Sequence, residues 1–175
     1  MNNWEILNHS IVYQDDMLSI GKRDVKLGNN SIHKFTNIYT KNWVNAVVLT
    51  EDNKVVLVKQ NRNAALKQTL EIPGGRVNQQ EDFLESCKRE VLEETGYSSD
   101  NWEFLGEILP NPNLFSNKLV SYICYNAKKV SNQNLDPAEE IEVELFSIDE
   151  IKEMLLHNKI DAALSIAPLS LGLFL

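Results

Sequence analysis

The first forty residues carry three short runs with β-type patterning: WEILNHSIVY (4–13), MLSIGKRDVKL (17–27) and SIHKFTNIYT (31–40). Gly28-Asn29-Asn30 reads as the turn between the second and third, and together they predict a small antiparallel sheet. From Trp43 the pattern becomes more continuously apolar. WVNAVVLT (43–50) and KVVLVKQ (54–60) are rich in valine and separated by Glu51-Asp52-Asn53, which predicts a hairpin. QTLEIPGG (68–75) leads into a turn, then a helix. NWEFLGEIL (101–109), KLVSYICYNA (118–127) and the cleanly alternating IEVELF (141–146) are strand-like. Ser147 stands three residues before Glu150, the spacing of a capping box, so a helix through about Leu156 should follow. The apolar DAALSIAPLSLGLFL (161–175) predicts a last docked helix, with Pro168 starting its final part or kinking it.

The helix after Gly75 carries an unusual charge load. Asn78 is a candidate N-cap with Glu81 three residues on, and Gly96 suits the left-handed C-terminal cap, so the helix is expected over 79–95. Glu90, Glu93 and Glu94 then stand at i, i+3 and i+4, three carboxylates on one patch. Leu84, Cys87 and Val91 form an adjacent apolar stripe for the core. Like charges this close repel, and Glu93 and Glu94 also oppose the negative end of the helix dipole. Lys88 and Arg89 are the local offsets. A divalent cation resolves the conflict, since Mg²⁺ or Mn²⁺ takes one or two carboxylates plus substrate phosphates; a solvated charged face is the alternative. Pro73-Gly74-Gly75 reads as a tight turn whose free carbonyls can face the same patch. Glu81 and Arg89, eight residues apart, can approach one another.

Composition narrows the chemistry. The 175 residues fit one domain or one domain with a small extension, and 43% apolar content supports a core. A net charge of −8 argues against a nucleic-acid partner, so a phosphate-handling site here needs a metal or placed arginines. No stretch approaches a membrane span, and MNNWEILNHS lacks the layout of a signal peptide, so a cytoplasmic location is expected. Cys87 and Cys124 have neither metal nor disulfide spacing.

The spacing Gly75, five residues, Glu81, seven residues, Arg89-Glu90-Val91, one residue, Glu93-Glu94, one residue, Gly96, Tyr97 resembles the Nudix box at every fixed position. Tyr97 stands where the family usually has an aliphatic residue, a departure that bears on packing. The resemblance implies an α+β fold: a Nudix α/β/α sandwich with a mixed central sheet over 41–175, preceded by a small N-terminal antiparallel sheet over 1–40. It also implies Mg²⁺ (or Mn²⁺), with Glu90 and Glu94 as main ligands, Glu93 as a further ligand directly or through water, and the Gly74 carbonyl as another. Gly75, Glu81, Arg89 and Gly96 would be structural.

The flanks resemble ADP-ribose and nucleotide-sugar pyrophosphatases. LEIPGGRV (70–77) matches their Glu-x-Pro-x-Gly approach to the box, and Gln60-Asn61-Arg62 their Gln-x-Arg stretch. This implies that Arg62 touches phosphate and Glu71 helps hold substrate or water. It implies contacts from Asn111, Asn113, Phe115 and Asn117 in LPNPNLFSNKL (109–119), with a structural turn as the alternative reading of that loop. It implies a glutamate before the last strand, Glu139 first and Glu140 second, as the general base, with Glu93 or Glu90 in reserve. The extension would build a homodimer, and Trp43, Phe35 or Tyr39 could stack on a base, although core packing is the commoner role. The expected reaction is hydrolysis of ADP-ribose or a related nucleoside diphosphate sugar. A nucleoside triphosphate pyrophosphohydrolase of damaged nucleotides, or a non-catalytic ADP-ribose sensor, are the alternatives.

Overall fold

The computed structural model describes residues 4–174. The chain divides into two compact units, one formed by Met1–Asn42 with Leu109–Lys118, the other by Trp43–Ile108 with Leu119–Leu175.

In the first unit β1 (Glu5–Gln14), β2 (Leu18–Lys26) and β3 (Ile32–Thr40) form the expected antiparallel sheet in the order β1-β2-β3. Asp15 closes the first turn, its carboxylate accepting from the N–H of Met17 and Leu18 at 2.8 and 2.9 Å. The second turn places Asn30 at φ 64°, which an asparagine tolerates. The loop 109–118 joins this unit by pairing with β3: Ile38 donates to Leu114 at 2.8 Å, and Ser116 donates back to Ile38 at 3.0 Å.

The second unit is a mixed sheet of eight strands. Its path runs β11 (Ile141–Ser147), β5 (Lys54–Arg62), β4 (Trp43–Thr50), β10 (Leu119–Lys129) and β8 (Tyr97–Ser98), with β6 (Lys67–Glu71), β7 (Gly74–Arg76) and β9 (Asn101–Ile108) pairing onto β5, β4 and β10. The β4–β5 hairpin forms as expected, with Val48 opposite Val56. The parallel pair is β4 with β10, Val44 beside Val120.

The valine runs are continuous because both faces of this sheet are covered. Val44, Ala46, Val48 and Val56 pack with Cys87 and Val91 of α1 (Phe83–Thr95). Val47, Leu49, Val55 and Leu57 pack on the other face with Ile151 of α2 (Ile148–Leu156) and Leu169 of α3 (Ala163–Phe174). Val44, Val48, Val56 and Val91 on one face and Val47, Val55, Leu57, Ile151 and Leu169 on the other are under 2% exposed; each buried valine or leucine is worth about 1.5–3 kcal/mol relative to solvent exposure. The α2 capping box is present: Ser147 accepts from the Glu150 N–H at 3.2 Å, and Glu150 from the Ser147 N–H at 2.7 Å. Pro168 lies inside α3, which continues through it. Among the described residues, no helix is long and apolar enough to cross a membrane.

Two local expectations are corrected. The helix starts at Phe83, because Asp82 is the N-cap, its Oδ1 accepting from Leu84 at 2.8 Å. Asn78 and Glu81 instead close a turn ahead of it, with Glu81 N–H to Asn78 O at 3.2 Å and Asn78 N–H to Glu81 Oε2 at 3.4 Å. Gly74 and Gly75 are also no tight turn. They lie extended in β7, opposite Asn45 and Val44, between a bend at Pro73 and a turn at 79–80.

Candidate active site

The charged helix α1 lies across β4 and β7, and the two ends of the box hold their carboxylates differently. Upstream, Arg89 makes a two-pronged contact with Glu81, Nε to Oε1 at 3.0 Å and one terminal nitrogen to Oε2 at 3.1 Å. Its other terminal nitrogen reaches Glu93 at 2.8 Å and Glu90 at 2.9 Å. One guanidinium therefore serves three box carboxylates, and its planar fork suits this where a lysine would not. Arg89 holds the Glu81 carboxyl at about 2, and Arg89 itself is pushed further up.

Downstream, Glu94 is only 5% exposed, with one oxygen accepting from the Gly74 N–H at 2.8 Å. Burial pushes its carboxyl up to about 8. The Gly74 N–H and the Arg62 charge oppose this, and the Glu90 and Glu139 carboxylates add to it. Burial also raises Glu90, against the pull of Arg89, with Glu93 and Glu139 contributing. At Gly75 a side chain would displace the Glu90 carboxylate, and at Gly74 it would strike the Val44 carbonyl and the Asn45 backbone. Gly96, at φ 75°, caps the helix in the left-handed region, its N–H donating to Leu92 O at 2.8 Å.

The three glutamates are thus not equivalent. Glu94 is buried away from Arg89, Glu90 is partly buried and shares Arg89, and Glu93 is the most exposed of the three and also paired to Arg89. Gly74 meets the patch through its N–H, which donates to Glu94. Among the described residues no three His, Cys, Asp or Glu side chains stand gathered as a ready metal cage. The donor set still fits a divalent cation. Magnesium is held by one or two carboxylates together with substrate phosphates, and a buried and a partly buried carboxylate, both raised by desolvation, are what such a charge would relieve.

Beside this patch lies a cleft of about 310 Å³ lined by Gln60, Asn61 and Arg62 from the end of β5 and by Pro137, Ala138, Glu139 and Glu140 from the loop before β11. Arg62 and Glu71 pair with each other, Nε to Oε1 at 2.7 Å and a terminal nitrogen to Oε2 at 2.8 Å. Burial tends to raise the Glu71 carboxyl, but the hydrogen bonds from Arg62 and Thr69 outweigh it and hold it below the usual range. Glu71 thereby fixes the guanidinium, whose remaining donors are left for a ligand. Glu140 accepts from Asn61 Nδ2 at 3.3 Å. Glu139 closes a turn with Asp136, whose N–H it accepts at 3.0 Å.

Asn113, Phe115 and Asn117 belong to the first unit. Asn117 is 3% exposed and donates to Lys41 O at 3.1 Å, and Phe115 bridges Ile38. The Asn111 side chain accepts from Asn113 at 3.3 Å, as a turn former does. In that unit Phe35 stacks on Trp4, and Tyr39 meets the edge of His9 and the guanidinium of Arg23. Asp82, Gln60 and Asn61 were not foreseen. Asp82 could have been found as an Asx residue immediately before the apolar helix pattern, and the two amides as direct neighbours of Arg62.

The NUDIX domain family matches residues 41–165. A methanol dehydrogenase activator of Bacillus methanolicus is 26% identical over 150 residues, 85% of this chain and 81% of that protein. An ADP-ribose pyrophosphatase of Bacillus subtilis is 25% identical over 134 residues, 75% and 72% of the two chains. The crystal structure of an ADP compounds hydrolase superposes with a TM-score of 0.85 at 19% identity, over 96% of this chain and 91% of that one, a likeness of fold. With the box intact, this chain belongs to the Nudix family and is a Nudix pyrophosphohydrolase, of a family that generally uses divalent metals.

Proposed function

We propose that the protein hydrolyses the pyrophosphate bond of ADP-ribose or a related nucleoside diphosphate sugar, giving a nucleoside monophosphate and a sugar phosphate. The observation that carries this reading is the adjacency of two unlike halves. Buried Glu94 and partly buried Glu90 can hold Mg²⁺ or Mn²⁺, and next to them a polar cleft carries one arginine fixed by Glu71 and two loop carboxylates. A diphosphate fits the first half, and a hydroxyl-rich group fits the amides and carboxylates of the second. The sequence likeness to an ADP-ribose pyrophosphatase supports the same substrate class.

In this reading Glu90 and Glu94 are the cation's main ligands, with Glu93 and the Gly74 carbonyl as further candidates. The cation, when bound, supplies the charge that neutralises the diphosphate and polarises water. Arg62, held by Glu71, pairs with phosphate oxygens. Glu139 accepts the proton of the attacking water, with Glu140 in second place. The water oxygen bonds to one phosphorus, the bridging phosphorus–oxygen bond breaks, and the other phosphate departs with the bonding pair. Arg62 offsets charge on the diphosphate throughout.

The first unit's sheet is proposed as a homodimer surface for a second copy of this chain. β1 is exposed along its whole length, pairs on one edge only, and presents Ile6, Ile11 and Val12. A substrate panel decides the substrate class: ADP-ribose, GDP-mannose, ADP-glucose, diadenosine polyphosphates and 8-oxo-dGTP, each with Mg²⁺ and Mn²⁺. Diphosphate sugars should be turned over best. Preference for triphosphates would move the protein to damaged-nucleotide removal, and tight ADP-ribose binding without turnover would make it a sensor.

A further inference from the structure

The segment that brings Glu139 to the cleft is tied to the box helix by one side chain. At the C-terminus of α1 the last carbonyls have no partner within the helix. The chain after β10 folds back over them: Val130 and Ser131 donate to Gly96 O at 2.9 and 3.3 Å, and Asn134 donates to Glu93 O at 2.9 Å. Gln133 completes the set. Its Nε2 donates to Glu94 O at 2.6 Å and to Ile141 O at 3.1 Å.

Those two carbonyls stand at opposite ends of the problem. Glu94 is the buried box carboxylate residue, and Ile141 is the first residue of β11, directly after Glu139 and Glu140. One amide therefore pins the start of the loop 134–140 to the helix, and its return point to the same spot. Within the loop, Asp136 and Glu139 close a turn on each other, and Glu140 accepts from Asn61 of β5 at 3.3 Å. Gly96 adds a steric condition, because a side chain there would strike Ser131 O and lift the segment away.

We propose that Gln133 is a positioning residue, a clasp that sets the distance between the Glu139 loop and the Glu90–Glu94 patch. This rests on the reading of Glu139 as the base. A loop carboxylate must sit within hydrogen-bond reach of the water it deprotonates, and an error of an ångström costs up to about a hundredfold in rate. Free of the clasp, the segment would still fold back through Asn134 and Ser131, and Ile141 would keep its pairing with Gln60 of β5, but the direct tie between that return point and the end of α1 would be gone.

The test is Gln133→Met, which keeps length and volume and removes the donor. With ADP-ribose and Mg²⁺, kcat should fall on the order of 10- to 100-fold, while KM changes by less than about threefold because ground-state binding is spared. Amide hydrogen exchange in 134–140 should quicken while the first turns of α1 keep their protection. Adding Glu139→Gln to Gln133→Met should cost far less than Glu139→Gln costs alone. Wild-type kcat with unchanged exchange overturns the proposal, and so do losses that multiply in full. If Glu139→Gln alone retains wild-type kcat, the base assignment fails by itself. Exchange in Gln133→Met then decides the clasp, quicker exchange supporting it and unchanged exchange ending it. Should Gln133→Met not fold, Gln133→Asn, one methylene too short to span both carbonyls, takes its place with the same expectations.

Discussion

Glu81 and Glu94 are the same residue type at two ends of one motif, and their surroundings drive them in opposite directions. Glu81 is gripped by Arg89 in a two-pronged ion pair and stays ionised, its carboxyl near 2. Glu94 is sunk against β7 with one N–H for company, and its carboxyl rises to about 8. The first is a strut that draws its stability from a charge already neutralised. The second is a charge withheld, costly to ionise where it is buried. A motif that looks like a run of acid in sequence therefore holds one carboxylate ionised and another close to neutral.

The sharpest break of this contrast is Glu94→Gln. It should lower kcat on the order of 10²–10³-fold, and the metal-free fold should be retained or stabilised, because a neutral amide suits the buried site. Steady-state kinetics beside a thermal melt reads both. Full activity in this variant would remove Glu94 from the metal site.

Arg89→Ala attacks the other end. It strands Glu81 and leaves Glu90 and Glu93 facing each other, with an expected loss of about 1.5–3 kcal/mol in urea unfolding. A change within about 0.5 kcal/mol, the ordinary surface value, would show that the strut carries nothing.

Solution pH separates the two carboxylates without mutation. Glu94 has a folded pKa above its unfolded one. Its contribution is fully present below about 4.5 and is lost as pH rises through about 8, so the metal-free protein should lose stability across that window. Glu81 has a depressed folded pKa, so its contribution is present above about 4.5 and is lost as pH falls towards 2. Magnesium should raise Tm more at pH 8.5 than at pH 6, because it binds the ionised form of Glu94. Equal shifts at both pH values would contradict the assignment.

The smallest effect is a control outside the box. Ser147→Ala removes the α2 cap and should cost about 1 kcal/mol with kcat unchanged. An effect on kcat would mean that the packing of α2 reaches the site.

How much of this was legible in sequence follows from range. The capping box at Ser147, the hairpin at Glu51–Asn53 and the three strands of the first unit were readable because each depends on neighbours along the chain. The start of α1 was misread by four residues because Asn78 and Asp82 are both competent caps, and local chemistry does not rank them. Glu81 and Arg89 do meet, as their spacing allowed, but Glu81 lies ahead of the helix, which starts at Phe83, so the contact is made by the preceding turn. The extended path of Gly74-Gly75 was hidden because strand β7 exists only through its pairing with β4, some thirty residues upstream.

Residue spacing thus carried the resemblance to the Nudix family, which the match over 41–165 established, the existence of its acidic helix and the apolar runs that send valines to two faces of a sheet. These follow from the periods of strand and helix and from a motif of fixed length. Tertiary structure decided which glutamate is buried and which is paired, that Arg62 is held by Glu71, and that Gln133 reaches the carbonyls of both Glu94 and Ile141. Burial and long-range hydrogen bonds depend on what the fold brings alongside a side chain, and no local pattern records them.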